Sequence, residues 1–138
     1  GALNGGAGMV GIADGHQTNA AYAAHYVFSR EFIVKHHGGV MAVPHYRSWY
    51  CDLEARKRAN RAGAYVAPEG AMWFHNHVVF DRAPDDETYQ RGKRWRAIDQ
   101  QVYRERMDAG FPDDFKPILH GLQTIHNPEP ALVLCGAA

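Results

Sequence analysis

Residues 52–62 constrain the fold of this chain more than any other stretch, because they carry both a start and a stop signal for a helix. Asp52 can cap the N-terminus, since a carboxylate there accepts a free backbone N–H of the first turn. Small apolar residues then recur on one helical face at Ala55, Ala59 and Ala62, and Gly63 follows directly. The pattern predicts a helix over residues 52–62.

Two kinds of element are predicted before this helix. The apolar and aromatic run at residues 19–30 favours a buried strand. Ser29 is placed to cap a short helix, which Gly38 and Gly39 bring to an end. Residues 39–50 carry aromatic side chains and little periodicity, which predicts a loop across the surface or along a cleft.

Strands and a long helix are predicted after it. Residues 64–68 and 71–80 indicate a short and a longer strand joined by a turn. Acidic residues at 85–87 suit the N-terminus of a helix, because the helix dipole favours negative charge there. The apolar pattern of that helix runs through Trp95, Ile98 and Val102 to Gly110 and Pro112.

The two ends of the chain are interpreted differently from its centre. Residues 1–11 are rich in glycine, which is costly inside a helix, so residues 1–18 are predicted to form a flexible lead or loop. Residues 111–138 carry further prolines and one apolar stretch near the end, which predicts an edge strand or a docking segment. Residues 19–110 are then the folded unit.

Composition excludes several classes of protein. The 138 residues fit one small domain, and 15 basic residues balance 15 acidic ones. This balance gives no general electrostatic case for nucleic acid or an anionic membrane, and no apolar run reaches the roughly 20 residues of a membrane span. Cys51 and Cys135 fit neither a disulfide framework nor zinc-knuckle spacing. We therefore expect a cytoplasmic protein.

An ordered series of short motifs carries a family resemblance. SREF is followed by the double glycine GG, then by an aromatic loop that ends in Asp52, then by DLEARKRANRAG, AYVAPEGA and MWFH. This series resembles the second, acceptor-side half of glycosyltransferases with the GT-A fold, especially the inverting family 2-like enzymes of phages and bacteria. The resemblance implies an α/β fold with a mixed sheet flanked by helices. It also implies transfer of a sugar from a nucleotide-sugar donor to a hydroxyl acceptor.

The resemblance assigns roles to particular residues. Asp52 falls on the general base, Glu54 on a second acidic residue and Arg58 on the helix arginine, the last two expected to bind substrate. His75 falls on a strand-end histidine that reaches the metal or the diphosphate, which implies a divalent Mn or Mg ion. His77 lies two residues further on, so on a strand it would share the same face.

Aromatic and basic side chains add candidates from the residues themselves. Tyr46, Trp49 and Tyr50 can form a platform for a sugar ring, or they can belong to the core. Arg91, Lys93, Arg94 and Arg96 form a basic run on the long helix that either meets a diphosphate or is a solvated face.

The sequence also departs from the family. Cys51 stands where an acidic residue often precedes the base, and the family's metal-binding aspartate pair has no counterpart upstream. The chain has no room for the nucleotide-binding half, so we expect it either to be excised from a longer protein or to act beside a separate nucleotide-binding chain. A non-catalytic carbohydrate-binding or virion-associated module on the same scaffold is the alternative.

A third hypothesis is a metal-dependent hydrolase or nuclease built on histidines. The four candidates are His36, His37, His75 and His77. The contiguous string HNH at residues 75–77 lacks the spacing of the nucleases of that name, and the neutral net charge favours no nucleic acid partner.

Overall fold

The computed structural model describes residues 6–15, 25–74, 76, 78, 81 and 83–115, together with the backbone of residues 133–135. They form a mixed α/β fold, as predicted, with three helices and one sheet of four strands. Within these residues, no helix has the length and apolar character needed to cross a membrane.

The sheet combines parallel and antiparallel pairing. Its strands are β1 (Met9–Ile12), β2 (His25–Phe28), β3 (Tyr65–Val66) and β4 (Val133–Cys135). Their order across the sheet is β3-β1-β2-β4, with β1 parallel to β3, and β2 antiparallel to both β1 and β4. The expected strand at residues 19–30 is confirmed over β2, its earlier part lying outside the described residues, and β4 confirms the expected edge strand.

The position of β1 corrects the prediction of a glycine-rich lead. Residues 9–12 form an inner strand, and the Met9 side chain is completely buried. The sequence does not predict this strand because Gly8 and Gly11 flank and interrupt it, and glycine has a low intrinsic preference for extended structure. Hydrogen-bonded neighbours on both edges of β1 compensate for that low preference.

Helix α1 (Arg30–His36) begins where the sequence predicts. The Ser29 hydroxyl accepts hydrogen bonds from the backbone N–H of Phe32 at 3.1 Å and of Gly8 at 2.9 Å. One serine thus caps α1 and fixes the chain that leads into β1. After the C-cap residue His37, Gly38 adopts a positive φ of 61°.

Helix α2 (Cys51–Arg61) begins one residue before its expected cap, and this is a correction. The N-cap residue is Tyr50, with a left-handed φ of 70°, and its carbonyl accepts the Glu54 N–H at 3.0 Å. Asp52 therefore lies in the first turn, inside the helix. The C-cap is Ala62, which is exposed where the apolar pattern predicts a buried face, and Gly63 follows with a positive φ of 62°.

The strand expected at residues 71–80 does not form in the described part of that segment. A single parallel bridge joins Met72 to Ala13, just beyond the end of β1. Met72, Trp73 and Phe74 are each more than half exposed, so their apolar side chains do not alternate into a core. Burial of one face is what normally fixes a strand with this pattern.

Helix α3 (Glu87–Asp108) confirms the long helix, and Asp86 caps it by accepting the Tyr89 N–H at 3.1 Å. Its inner face carries charged residues that the predicted apolar pattern does not include. Ile98 is 49% exposed, whereas the side chains of Asp99 and Arg106 are buried. Helix α3 therefore attaches to the domain partly through buried charge.

The core lies where α1 and α2 cover one face of the sheet. The register pairs Met9 with Phe28, so these side chains share a face. The buried cluster comprises Met9, Tyr26, Phe28, Phe32, Ile33, Ala55, Ala59 and Ala64. The ring of Phe28 stacks on that of Phe32, with centroids 5.3 Å apart. Small residues on α2 allow the helix to approach the sheet closely.

We expect Phe28→Ala to lower the free energy of unfolding by about 3–5 kcal/mol, because it leaves a cavity among packed rings. Urea unfolding followed by circular dichroism measures the change. Val34→Ala is the control, since Val34 is 54% exposed and its loss costs about 0.5 kcal/mol or less. Equal effects of the two variants would contradict this position for the core.

Candidate functional site

The carboxyl ends of the parallel strands β1 and β3 lie at one edge of the sheet, which is where α/β sheets usually bind ligands. After β3, the chain returns to this edge: the Trp73 N–H donates to the Ala13 carbonyl at 2.8 Å. The antiparallel strand β2 begins here as well, with His25 paired to Ile12. This ligand-binding edge therefore brings together residues from three separate parts of the chain.

Polar and aromatic side chains meet at the ligand-binding edge. Asp14 lies two residues after the end of β1 and is buried. The rings of His25 and Trp73 lie 6.4 Å apart, and 59% of Trp73 is exposed. The exposed Trp73 indole offers an apolar face to a ligand at this edge.

Asp52 is a desolvated carboxylate in the first turn of α2. Burial raises the pKa of its carboxyl group, while the backbone N–H groups of Leu53 and Asp52 and the charges of Arg56 and His25 partly oppose the rise. Among the described residues, no basic side chain forms an ion pair with this carboxylate. Asp52 thus combines desolvation with incomplete pairing, as proton-transferring carboxylates often do.

Cys51 precedes Asp52 and is an unpaired thiol. Burial, and then the neighbouring Asp52 charge, raise the pKa of this thiol to about 11. The thiol is therefore protonated and weakly nucleophilic at neutral pH. It cannot replace the acidic residue that the family resemblance places here.

Glu54 lies on α2, and its fully buried carboxylate is the centre of an ion cluster. Arg58 donates to its carboxylate at 2.9 Å, Arg106 at 2.9 and 3.0 Å, and the Tyr46 hydroxyl at 2.8 Å. Burial by itself raises the pKa of Glu54. Hydrogen bonds from Arg106, Tyr46 and Arg58 lower this pKa by more than burial raises it, so the net shift is downward. These contacts are structural, and substrate binding by Glu54 stays a prediction.

Both arginines extend this ion cluster toward the segment after α3. Arg58 contacts the Asp113 carboxylate at 2.7 Å, and Arg106 contacts that of Asp114 at 2.7 Å. Both guanidinium groups also donate to the Pro112 carbonyl. The predicted substrate role of Arg58 is therefore untested, because its described contacts all stabilise the fold.

Asp99 fixes the aromatic loop, residues 45–50, to α3. Its fully buried carboxylate accepts backbone N–H groups from Arg47, Ser48 and Trp49 at 2.7–3.2 Å. The Trp49 indole N–H adds a bond of 2.7 Å to the Gly92 carbonyl. These bonds give the loop one defined conformation without regular secondary structure.

The three aromatic residues predicted as a sugar platform have separate neighbours. The Tyr46 hydroxyl donates to Glu54, and burial followed by this bond raises its pKa. Arg96 lies 5.2 Å above the Trp49 ring, and the Tyr50 ring lies 5.3 Å from that of Tyr103. The platform stays a prediction, and Trp73 is a more exposed aromatic residue that the sequence reasoning did not select.

His75 and His77, the predicted metal ligands, lie outside the described residues. Within the described part of the chain, no group of three or more histidine, cysteine, aspartate or glutamate residues is arranged to hold a metal ion. His37 is buried beside Phe28 and Phe32, and its Nδ1 contacts the Val40 carbonyl oxygen at 2.6 Å. A divalent metal therefore stays a prediction that depends on residues 75–77.

Sequence reasoning missed Asp99 and Arg106, although a signal was available. Residues 95, 99, 102 and 106 recur at helical spacing and share one face of α3. Trp95 and Val102 mark that face as inward, so the charged residues between and after them must be paired. The position of Asp99 and Arg106 on this inward face therefore identifies them as buried charges that need partners.

We expect Glu54→Gln to lower the free energy of unfolding by about 3–5 kcal/mol, because it leaves two buried guanidinium groups without their shared anion. Urea unfolding at pH 7 measures the loss. Glu105→Gln, the same change at an exposed position of α3, should cost about 0.5 kcal/mol or less.

The pH dependence provides a second test. A lowered pKa means that ionised Glu54 stabilises the fold above the ordinary glutamate pKa of 4.5, and that this contribution is lost as the pH falls through the folded-state value. Burial lowers the pKa of His37 below 6.5, so stability also falls with pH in that higher window. Glu54→Gln should reduce the loss of stability below pH 4.5, where Asp114 with its lowered pKa also contributes, and an unchanged acid profile would contradict the ion cluster.

Comparison of the chain with protein-family models, with curated proteins and with solved structures finds no match to any of the three.

Proposed function

We propose that this chain is the acceptor-side half of a GT-A-like glycosyltransferase, with Asp52 as the general base of an inverting transfer. The supporting observation is that Asp52 is a desolvated carboxylate in the first turn of α2 without an ion-pair partner among the described residues. Glu54 and Asp99, by contrast, each accept several hydrogen bonds that hold the fold together.

The chemistry requires a carboxylate of this kind. The acceptor hydroxyl attacks the anomeric carbon of the donor sugar while its proton passes to the Asp52 carboxylate, and the nucleoside diphosphate leaves with the bonding electron pair. A raised pKa makes Asp52 a stronger base once ionised, provided that the pH lies above that pKa. The exposed ring of Trp73 would supply an aromatic face for packing against the acceptor ring.

The proposal requires a nucleotide-binding half and a divalent metal for the donor diphosphate. The metal would reduce the negative charge that develops on the leaving group. His75 and His77 are the proposed ligands from this chain, with further ligands from the nucleotide-binding half. Transfer assays are therefore performed with both halves present.

We expect Asp52→Asn to reduce sugar transfer by about 100-fold or more, because general-base catalysis contributes roughly that much. Transfer from a panel of nucleotide sugars with Mn²⁺ measures the loss. Burial disfavours the Asp52 charge, so the same variant should be as stable as the parent protein at pH 7, or more stable. Asp108→Asn, at the exposed end of α3, is the control and should retain full transfer.

The pH profile must agree with this role. Transfer should decline on the acid side around a pKa above the ordinary aspartate value of 3.8, because burial raises the pKa of Asp52. Undiminished transfer by Asp52→Asn would exclude it as the base.

The exposed Trp73 ring supports a second candidate, a non-catalytic carbohydrate-binding module, as well as it supports the enzyme. In either case, we expect Trp73→Ala to weaken glycan binding by roughly fivefold, because it removes an aromatic face. Glycan-array binding measures the effect, and Trp73→Phe, which keeps an aromatic ring, should retain most of the parent affinity. Glycan binding with no transfer by the parent protein would favour the module, whereas equal binding by Trp73→Ala would exclude Trp73 as the platform.

A further inference from the structure

A surface cavity of about 140 Å³ lies between the aromatic loop and the first turns of α3. It is lined by Arg47, Ser48, Thr88, Arg91, Gly92 and Trp95. The lining contains no carboxylate, and its charged side chains are both arginines. It shares no residue with the ligand-binding edge and does not include Asp52.

Both arginines of this arginine-lined cavity have their charge available. Arg47 and Arg91 are exposed, and neither takes part in an ion pair with any residue that the structure describes. The hydroxyl groups of Ser48 and Thr88 add two further hydrogen-bond donors to the lining. Donors and positive charge concentrated in one concavity favour an anionic ligand.

The neighbouring basic residues of α3 do not line this cavity. Lys93 forms an ion pair with Asp85 at 2.8 Å, and Arg96 lies over the Trp49 ring. The basic run at residues 91–96 is therefore not one uniform solvated face. Arg91 is the member of the run that lines the cavity, together with Arg47 from the loop.

The walls of the arginine-lined cavity are held in place before any ligand binds. Asp99 fixes the backbone N–H groups of residues 47–49, and the Trp49 indole bonds to the Gly92 carbonyl. The Arg47 guanidinium lies 4.2 Å from the centroid of the Trp95 ring, which orients it. A preformed site of this kind loses little conformational entropy on binding.

We propose that the arginine-lined cavity binds a phosphoryl group. Guanidinium groups match the geometry of phosphate oxygens, with two parallel N–H donors for each arginine. A cavity of about 140 Å³ has room for a phosphoryl group and the atom that carries it. This site does not depend on the proposed sugar transfer, because it contains neither Asp52 nor a metal ligand.

Titration with inorganic phosphate and with glucose 1-phosphate at low ionic strength tests the proposal, with binding followed by amide chemical shifts. We expect saturable shifts centred on Ser48 and Gly92. Arg47→Ala and Arg91→Ala should each weaken binding by about tenfold, as for loss of a charge-assisted hydrogen bond. Arg104→Ala removes the same charge from an exposed position of α3 and should change the affinity by less than about twofold.

Further variants separate a built site from general attraction. Arg91→Lys keeps the charge but loses the paired donors, so its affinity should lie between those of Arg91→Ala and the parent protein. Thr88→Val keeps the shape and should weaken binding by a few-fold, because it removes one hydroxyl donor. Because Thr88 and Arg91 are exposed, the variants at these two positions should retain the melting temperature of the parent protein.

The two ligands identify the source of the phosphoryl group. Tighter binding of glucose 1-phosphate indicates a phosphate ester, and equal binding indicates the free ion; both support the site. Absence of saturable binding, or equal weakening by Arg91→Ala and Arg104→Ala, would overturn it. These results do not depend on Asp52, so failure here is distinguishable from failure of the proposed transfer.

Discussion

The buried carboxylate of Glu54 is the contact on which the arrangement of the helices depends. It joins α2 to α3 through Arg106, to the aromatic loop through Tyr46 and to its own helix through Arg58. The two arginines then carry the connection to the segment that follows α3. A buried charge pair gives little net stability, but leaving one partner alone is costly, so the cluster permits one arrangement of these elements and penalises others.

Asp99 applies the same principle to a backbone segment. Residues 45–50 contribute few side chains to the core, and a loop of this kind usually has several conformations of similar energy. Three consecutive backbone N–H groups turned toward one buried carboxylate remove that freedom. The Asp99 hydrogen bonds therefore fix the backbone that leads into α2 and the backbone that forms one wall of the arginine-lined cavity.

Local signals in the sequence predicted the elements that depend on local interactions. The serine cap of α1, the acidic start of α3 and the glycine after α2 are each decided within a few residues. The errors involve distant partners. β1 forms because strands on both sides pair with it, and residues 71–74 leave the sheet because β1 ends beside them. Neither outcome can be deduced from the segment itself.

The candidate site shows the same division more clearly. Asp52 could be selected from its motif, but its difference from Glu54, two residues away, could not. Asp52 has no described ion-pair partner, whereas Glu54 is saturated by donors from α2, α3 and the loop. A carboxylate that the fold has satisfied is already committed to stability. One that burial disfavours and the fold leaves incompletely paired costs stability, and binding or proton transfer is the common reason for such a cost. This contrast in pairing, more than the motif, separates the functional candidate from the structural residue.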